Sequence, residues 1–519
     1  MKGDHSLFMV VLSREMAPLD DTPKPPVRYR CSNIILNFSF GTSNIKPTGF
    51  HEPFTPRGSL FGIRLFRRDK KMNQENPQKV RPMNPDIIID GGTLLSMVDG
   101  HGPEHNIRIL IKGDRIVRIE KNDRDVKYPE DTEIIDAGRG IIMPGLVNAH
   151  AHTAMTLFRG LADDLPLKQW LFEEIFPAES THLNPETVYW GALLGCLEMI
   201  ASGTTSVIEG YFFQDETVRA FHQSGLRAII SQGVIDFPAP GVMDPTENLK
   251  VGRAFIEKWL GYSDLITPGI FCHSPVTCSE KTLRKAMELS QAFSVPLQIH
   301  LSETSEEVDE IMKKTGQRPV PYLDGMGLLH DRLIAAHAIH LNHDEIELLS
   351  RRGVKIAHTP ESNMKLSSGL ARVPEMIEMG LTVGLGTDGC ASNNNLDLFQ
   401  EMDTVAKVHK AFSLDPVHLD AETVLKMVTS WGANILGLHK ELGTIEVGKK
   451  ADIIIIDQES PHLVPLYNPQ SCLVYSANGG DVKDVIVNGR ILLKNRVFQT
   501  LDLNEIMKRV TAISRKIRT

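Results

Sequence analysis

The feature that most constrains this chain is a rhythm: from about residue 143 to 440, eight short apolar runs alternate with amphipathic stretches. The runs are IIMPGLVNAHAH, TTSVIEG, LRAIISQGV, ITPGIFCHSP, PLQIHLSE, LIAAHAIHL, VKIAHTPES and LTVGLGTDG, most of them followed by a helical pattern such as SEEVDEIMKKTG. Near-continuous hydrophobic strands belong to parallel sheets covered on both faces, and eight β/α repeats close a TIM-type barrel of about 250 residues. The expectation is an α/β fold built on a (β/α)8 barrel over 143–440. A doubly wound open sheet is the alternative, but no GxGxxG follows the first strand.

The flanks read differently. From Asp86 onward, DIIIDGGTLL, NIRILIKGDRIVRIE and EIIDAGRGIIMPG alternate with period 2 and turn at Gly-Asp; GTIEVGKKADIIIID and DVKDVIVNGRILLKNRVF repeat that texture near the other end. Residues 84–142 and 441–497 are therefore expected to form one small β domain from both ends of the chain, with a surface helix over 498–519. Residues 1–82 are rich in Pro, Ser, Asn and Arg, lack either period and read as disordered. Met72 or Met83 is an alternative start for the chain. A transit peptide is a second alternative, weakened by Asp4, Glu15, Asp20 and Asp21.

Charge narrows the partners. Residues 1–82 hold 14 Lys/Arg against 7 Asp/Glu, leaving 42 against 58 in the rest of the 519-residue chain. An acidic body without a basic stripe argues against nucleic acid, whose phosphates need clustered cations. No stretch approaches the roughly 20 apolar residues of a membrane span. Six scattered cysteines with no CxxC pair, and an N-terminal apolar run of only Leu7 to Leu12, fit a cytoplasmic protein with reduced thiols. The expected partner is a small molecule.

Active-site groups of such barrels sit at the carboxyl ends of the strands, and polar residues crowd those ends here. His150 and His152 end the first run, His273 the fourth, His300 the fifth, His337 the sixth and Asp388 the eighth. Residues i and i+2 of a strand share a face, so His150 and His152 both project into the barrel mouth, where two neutral imidazoles can hold one cation. His300 and Asp388 are placed to complete the set while leaving room for a water. An isolated HxH is more often a pair of hydrogen-bonded core histidines; the further ligand-type residues at matching strand ends reverse that balance.

These motifs together, PGLVNAHAHTAMTLFRGLADDLPLKQWL, IFPAE, HSPVTCSE, IHLSETSEEV, AAHAIHL, HTPESNMKLSSG, LGTDGCASNNNLDLF and GKKADIIIID, make the chain resemble the amidohydrolase superfamily. Within it, residues 84–500 resemble the 5-methylthioadenosine/S-adenosylhomocysteine deaminases. The resemblance implies a barrel with a β-sandwich and a homo-oligomer. It also implies one zinc on His150, His152, His300 and Asp388, with iron or manganese as possible replacements, and hydrolytic deamination of an adenine nucleoside. Dinuclear relatives bridge their metals through a carboxylated lysine on the fourth strand, and ITPGIFCHSP has no lysine. His273 resembles the residue that contacts the ribose, and Glu179 the one that grips its 2'- and 3'-hydroxyls.

The chemistry asks for three groups. Asp388, beside the cation, takes the proton of the attacking water, Glu303 protonates the neighbouring ring nitrogen, and His337 orients the water or bonds the developing alkoxide. Glu303 must then be protonated when substrate arrives, which an apolar pocket favours. Each has a plainer reading. Glu303 stands beside a capping box formed by Thr304 and Glu307, His337 shares AAHAIHL with His340, Glu179 could be an exposed loop acid, and Trp170 and Phe172 could be core. His358 is read as structural. After the third run, where a cation for a homocysteine carboxylate is expected, the chain offers Gln232 and Val242, which predicts a preference for 5'-methylthioadenosine, adenosine or 5'-deoxyadenosine. The competing activity is deamination or dechlorination of a free heterocycle such as guanine, cytosine or an s-triazine. The PCxxC zinc deaminases are excluded because no PCxxC occurs.

Overall fold

The computed structural model describes residues 84–122 and 128–518, so the expectations for residues 1–82 lie outside the described residues. Each of the eight runs forms a strand: β1 (Leu146–His152), β2 (Thr204–Tyr211), β3 (Arg227–Val234), β4 (Ile266–Cys272), β5 (Leu297–Leu301), β6 (Leu333–His337), β7 (Lys355–His358) and β8, which comes in two pieces, Thr382–Leu385 and Asp388–Gly389. Neighbours pair in parallel from β1 round to β8, and the sheet closes on itself where Asp388 lies opposite Ala151 and Gly389 opposite His152. This is a (β/α)8 barrel. Its strands are buried almost without exception, as the unbroken apolar runs require, and amphipathic helices such as Glu280–Phe293 and Ser305–Thr315 cover the outside with Leu283, Ala286, Val308 and Ile311 turned inward.

A second, mixed sheet is assembled from both flanks of the barrel. Its N-terminal strands Ile87–Leu94, Ile107–Lys112, Arg115–Lys121 and Glu133–Pro144 meet the C-terminal strands where Glu133–Pro144 runs antiparallel to Ile453–Ile456. The far edge folds back: Ile116 N–H donates to the Lys449 carbonyl and Gly448 N–H to that of Ile116. The sheet thereby wraps a core of its own, rich in isoleucine, including Ile89, Ile109, Ile142, Ile453 and Ile486. A buried ion pair, Arg227 at the start of β3 to Asp452 at 3.1 Å, fastens this sheet to the base of the barrel. The closing helix, Leu503–Ile517, is capped by Asp502 and buries Ile506 and Val510.

The run IIMPGLVNAHAH serves both bodies. Ile141 to Pro144 finish the strand Glu133–Pro144 of the mixed sheet, and only Leu146–His152 enter the barrel. Gly145 joins them at a close approach: a Cβ there would lie 2.1 Å from Thr205 Cγ2.

Candidate metal and active site

The HxH pair sits on fully buried strand, and its two rings are fixed by different parts of the barrel. The Nδ1 of His152 bonds the carbonyl of Gly210 on β2, which leaves Nε2 free to face inward. His150 is held through its backbone, whose N–H reaches Asn148 Oδ1 at 3.3 Å. The same Asn148 donates to Thr387 Oγ1 at 2.8 Å, stitching β1 to β8 at the closing seam. Gly386 allows that closeness, since a Cβ there would stand 2.7 Å from the His150 amide nitrogen.

From this frame the donor atoms converge. His152 Nε2 lies 3.3 Å and His150 Nε2 3.6 Å from Asp388 Oδ1, and His300 Nε2 lies 3.2 Å from His150 Nε2. One ligand atom from each of the four residues lies within 4.8 Å of all the others. Four ligands at 2.0–2.1 Å around a tetrahedral cation are separated by about 3.3 Å, so three of these spacings are those of a loaded site. Burial lowers the pKa of all three imidazoles, keeping them in the neutral form that binds metal. Burial alone would raise Asp388, but His152, His337, His150 and the Ser362 hydroxyl outweigh it and hold the carboxyl below its usual range. Every feature of the donor set fits a small divalent cation of the zinc type.

The other expected residues lie around the same cavity of about 680 Å³, which His152, Glu179, His273, His300, Glu303, His337 and Asp388 all line. His337 Nε2 is 3.6 Å from Glu303 Oε2, while its Nδ1 is engaged by Asn363 Oδ1 at 2.8 Å and by Thr359 Oγ1 at 3.0 Å. Although burial lowers the His337 pKa, Glu303 and Asp388 more than restore it, and the net shift is upward. Glu303 is also raised, by burial first and by Asp388, against the opposing pull of His337. Backbone strain concentrates here: Ser302, His337, Ala338 and Asp388 all have φ between 49° and 68° without being glycine. His340 is the satisfied histidine of AAHAIHL, bonded to the Ser368 carbonyl at 2.7 Å. His358 is buried beside His409 and does not line the cavity.

Glu179 belongs to a helix, Phe176–His182, in the long excursion after β1, and is only 3% exposed. It accepts a hydrogen bond from Tyr211 OH at the end of β2, and burial pushes its pKa up to about 7. His273 stands just past β4, its ring 5.0 Å from that of His300, with Nδ1 2.9 Å from Thr277 Oγ1; burial lowers its pKa to about 3. Of the three aromatics in KQWLFEEIF, Trp170 and Phe176 line the cavity, whereas Phe172 is half exposed and packs edge-on against Phe176. The segment Trp170–Ile175, which carries the first two, is a π-helical turn, a feature that tends to accompany functional sites.

Two expectations need correction. Gln232 and Val242 line a different depression, beside the helix Gln214–Ser224, because the Gln232 side chain turns toward the Gln214 amide and not into the barrel mouth. The neighbours that do line the site are Val234 and Ile235, and among the described residues no lysine or arginine lines it. In the supposed capping box, Thr304 caps Glu307 N–H at 3.1 Å, but the Glu307 carboxylate bypasses Thr304 and accepts from Ser302 N and Glu303 N at 3.2 and 2.8 Å. Other supports were not singled out by sequence: Ser362 and Ser392, whose hydroxyls reach Asp388 Oδ2 at 2.7 and 2.8 Å, and Glu209, which accepts from Thr153 N at 2.7 Å just behind His152. The motifs HTPESNMK and LGTDGCASNNN contained the two serines, but polar loop residues carry no periodic signal.

A parallel barrel with such donors converging at its carboxyl-end rim defines a metal-assisted barrel hydrolase. The chain belongs to the amidohydrolase family, whose sequence pattern it matches over residues 141–492. It is 44% identical over 435 residues to a 5-methylthioadenosine/S-adenosylhomocysteine deaminase of Syntrophobacter fumaroxidans, covering 83% of this chain and 98% of that one. It is also 44% identical over 426 residues to a 5'-deoxyadenosine deaminase of Methanosarcina acetivorans, covering 82% and 96%. Among solved structures, an adenosine deaminase from Xanthomonas campestris with bound zinc superposes with a TM-score of 0.81 at 35% identity, over 84% of this chain and 99% of that one. No helix among the described residues is long and apolar enough to cross a membrane.

Proposed function

We propose that the protein is a zinc-dependent hydrolase that deaminates an adenine nucleoside, releasing the inosine analogue and ammonia. The observation that carries this reading is that one cavity is lined by three members of the four-donor cluster, His152, His300 and Asp388, together with Glu303 and the buried Glu179. The deaminase relatives point the same way. Zinc held by His150, His152, His300 and Asp388 would supply a water whose pKa falls from 15.7 towards about 7. Asp388 would accept the proton of the attacking water and return it to the exocyclic amino group, which leaves as ammonia when its carbon–nitrogen bond breaks. Glu303, whose protonated form is favoured by burial, donates to the adenine nitrogen next to the carbon under attack. His337, with Nδ1 tied to Asn363 and Nε2 facing the cavity, steadies the oxygen as charge develops on it. Glu179 accepts from the ribose diol, with His273 beside it. Trp170, Phe176, Val234 and Ile235 give the purine and its 5'-substituent an apolar surround.

The reading is tested by ammonia release from a metal-quantified preparation across a nucleoside panel. With no lysine or arginine lining the cavity among the described residues, the carboxylate of S-adenosylhomocysteine is left without a partner, so its kcat/KM is expected to fall about 10- to 100-fold below that of 5'-methylthioadenosine, adenosine or 5'-deoxyadenosine. Equal or better turnover of the homocysteine adduct would remove this part of the proposal.

Glu179→Gln separates the nucleoside reading from deamination of free bases. It is expected to lower kcat/KM for nucleosides about 100-fold while leaving the slow turnover of a free base unchanged. The same variant has a stability signature. The folded-state pKa of Glu179 is raised to about 7, so the folded state holds a proton that the unfolded state releases from about pH 4.5. Stability is fully present below pH 4.5 and is lost as pH rises to about 7. Glu179→Gln lacks that loss, and denaturant unfolding at pH 8 and pH 4 is expected to show it gaining on the wild type by on the order of 3 kcal/mol.

A further inference from the structure

Asp388 presents Oδ1 to the imidazoles and gives Oδ2 to two serines that come from different loops. Ser362 lies in the short helix Pro360–Lys365 after β7, and Ser392 in the turn after β8. Their hydroxyls are also 3.0 Å from each other. Two donors on one oxygen stop the carboxylate from turning about its last side-chain bond, so the direction of Oδ1 depends on how well the two loops are held together.

One side chain ties both loops. Glu401, on the helix Leu398–Ser413 and wholly buried, accepts from Glu361 N with Oε2 at 3.2 Å and from Asn393 Nδ2 with Oε1 at 2.6 Å. Each partner is the immediate neighbour of one of the serines. The Asn393 amide also reaches the Thr387 carbonyl at 2.8 Å, directly before Asp388. A carboxyl inside a protein is costly unless its bonds are made. Glu401 makes both of the bonds above and belongs neither to the donor cluster nor to the cavity lining.

We propose that Glu401 is a positioning residue, which aims Asp388 by clamping the loops that carry Ser362 and Ser392. This rests on the metal-site part of the deaminase reading. Glu401→Gln keeps the shape but presents an amide N–H₂ to one of the two donors, breaking one tie. Zinc-loaded protein is titrated with a chelator, without substrate, and nucleoside kinetics are measured alongside. The chelator concentration that removes half the zinc is expected to fall about 10-fold, kcat to fall 10- to 100-fold, and KM to stay within threefold. In a Ser362→Ala/Ser392→Ala background the same substitution is expected to change zinc retention and kcat by no more than about threefold, since the route through the serines is cut and only the bond of Asn393 to the Thr387 carbonyl remains.

Wild-type zinc retention in Glu401→Gln, or an undiminished effect in the serine-free background, would overturn the inference; a loss spread through general packing gives the second result. Should Glu401→Gln fail to fold, Asn393→Ala, which releases one arm of the clamp, is put through the same cycle and decides by the same criteria. Because zinc retention is read without substrate, a wild type that binds zinc yet deaminates no nucleoside would defeat the function proposed above and leave this inference standing.

Discussion

Asp388→Asn is expected to abolish ammonia release, by on the order of 10⁴-fold, and to loosen zinc at the same time. The carboxylate has two tasks that an amide performs poorly. Its Oδ1 sits within 3.6 Å of two imidazole nitrogens, where a full negative charge balances a dication and a neutral amide oxygen does not. It is also the group proposed to take the proton of the attacking water, and an amide has no basicity for that. The backbone makes the site exacting: Asp388 has φ 58°, a conformation that asparagine tolerates. The variant should therefore keep the fold, with a lower thermal midpoint in the metal-free form because the Ser362 and Ser392 hydroxyls lose a charged acceptor. Metal analysis, a melt and an ammonia assay check the three parts separately, and residual turnover above about one per cent would mean that another group serves as the base.

Glu303→Gln is expected to lower kcat by about 10²- to 10⁴-fold with KM within threefold, since the lost proton is delivered only as the transition state forms. Burial and Asp388 raise the Glu303 pKa, so the acid is neutral, and competent to donate, until the pH rises through its folded-state value. The wild-type rate is expected to fall on that alkaline side, and the variant to lack the limb assigned to Glu303. Retention of the same alkaline limb in Glu303→Gln, read from kcat against pH, would transfer the donor role to His337, whose Nε2 lies 3.6 Å away.

Much of the architecture was legible because it rests on short-range regularities. A strand buried on both faces must be apolar throughout, so eight such runs announce eight strands, and a polar residue at the end of one stands out against them. His150 and His152 were readable for that reason, since a period of two carries both to the same face. What escaped was set by contacts distant in sequence. Glu179 is removed from solvent by packing and by Tyr211, 32 residues on, and nothing in IFPAE distinguishes that from an exposed acid. Glu307 satisfies the local pattern of a capping residue, yet its carboxylate reaches past the cap to steady Glu303. Gln232 follows the alternation of its strand but turns toward a neighbouring helix, and the residues that line the site beside it are the apolar Val234 and Ile235.

The splice at Gly145 has a consequence for how the protein is made. The β-ribbon that delivers the first two donor histidines is one continuous path with the strand Glu133–Pro144, and that strand takes a neighbour, Ile453–Ile456, from near the far end of the chain. A nascent polypeptide emerging from the ribosome would lack that neighbour for the time taken to synthesise about 300 further residues after the histidines, tens of seconds at 5–20 residues per second, before the mixed sheet leading into β1 could be completed. Lasting cation capture would then wait for that strand, and truncations that spare every barrel strand but remove residues after 452 should yield protein that retains the ion poorly.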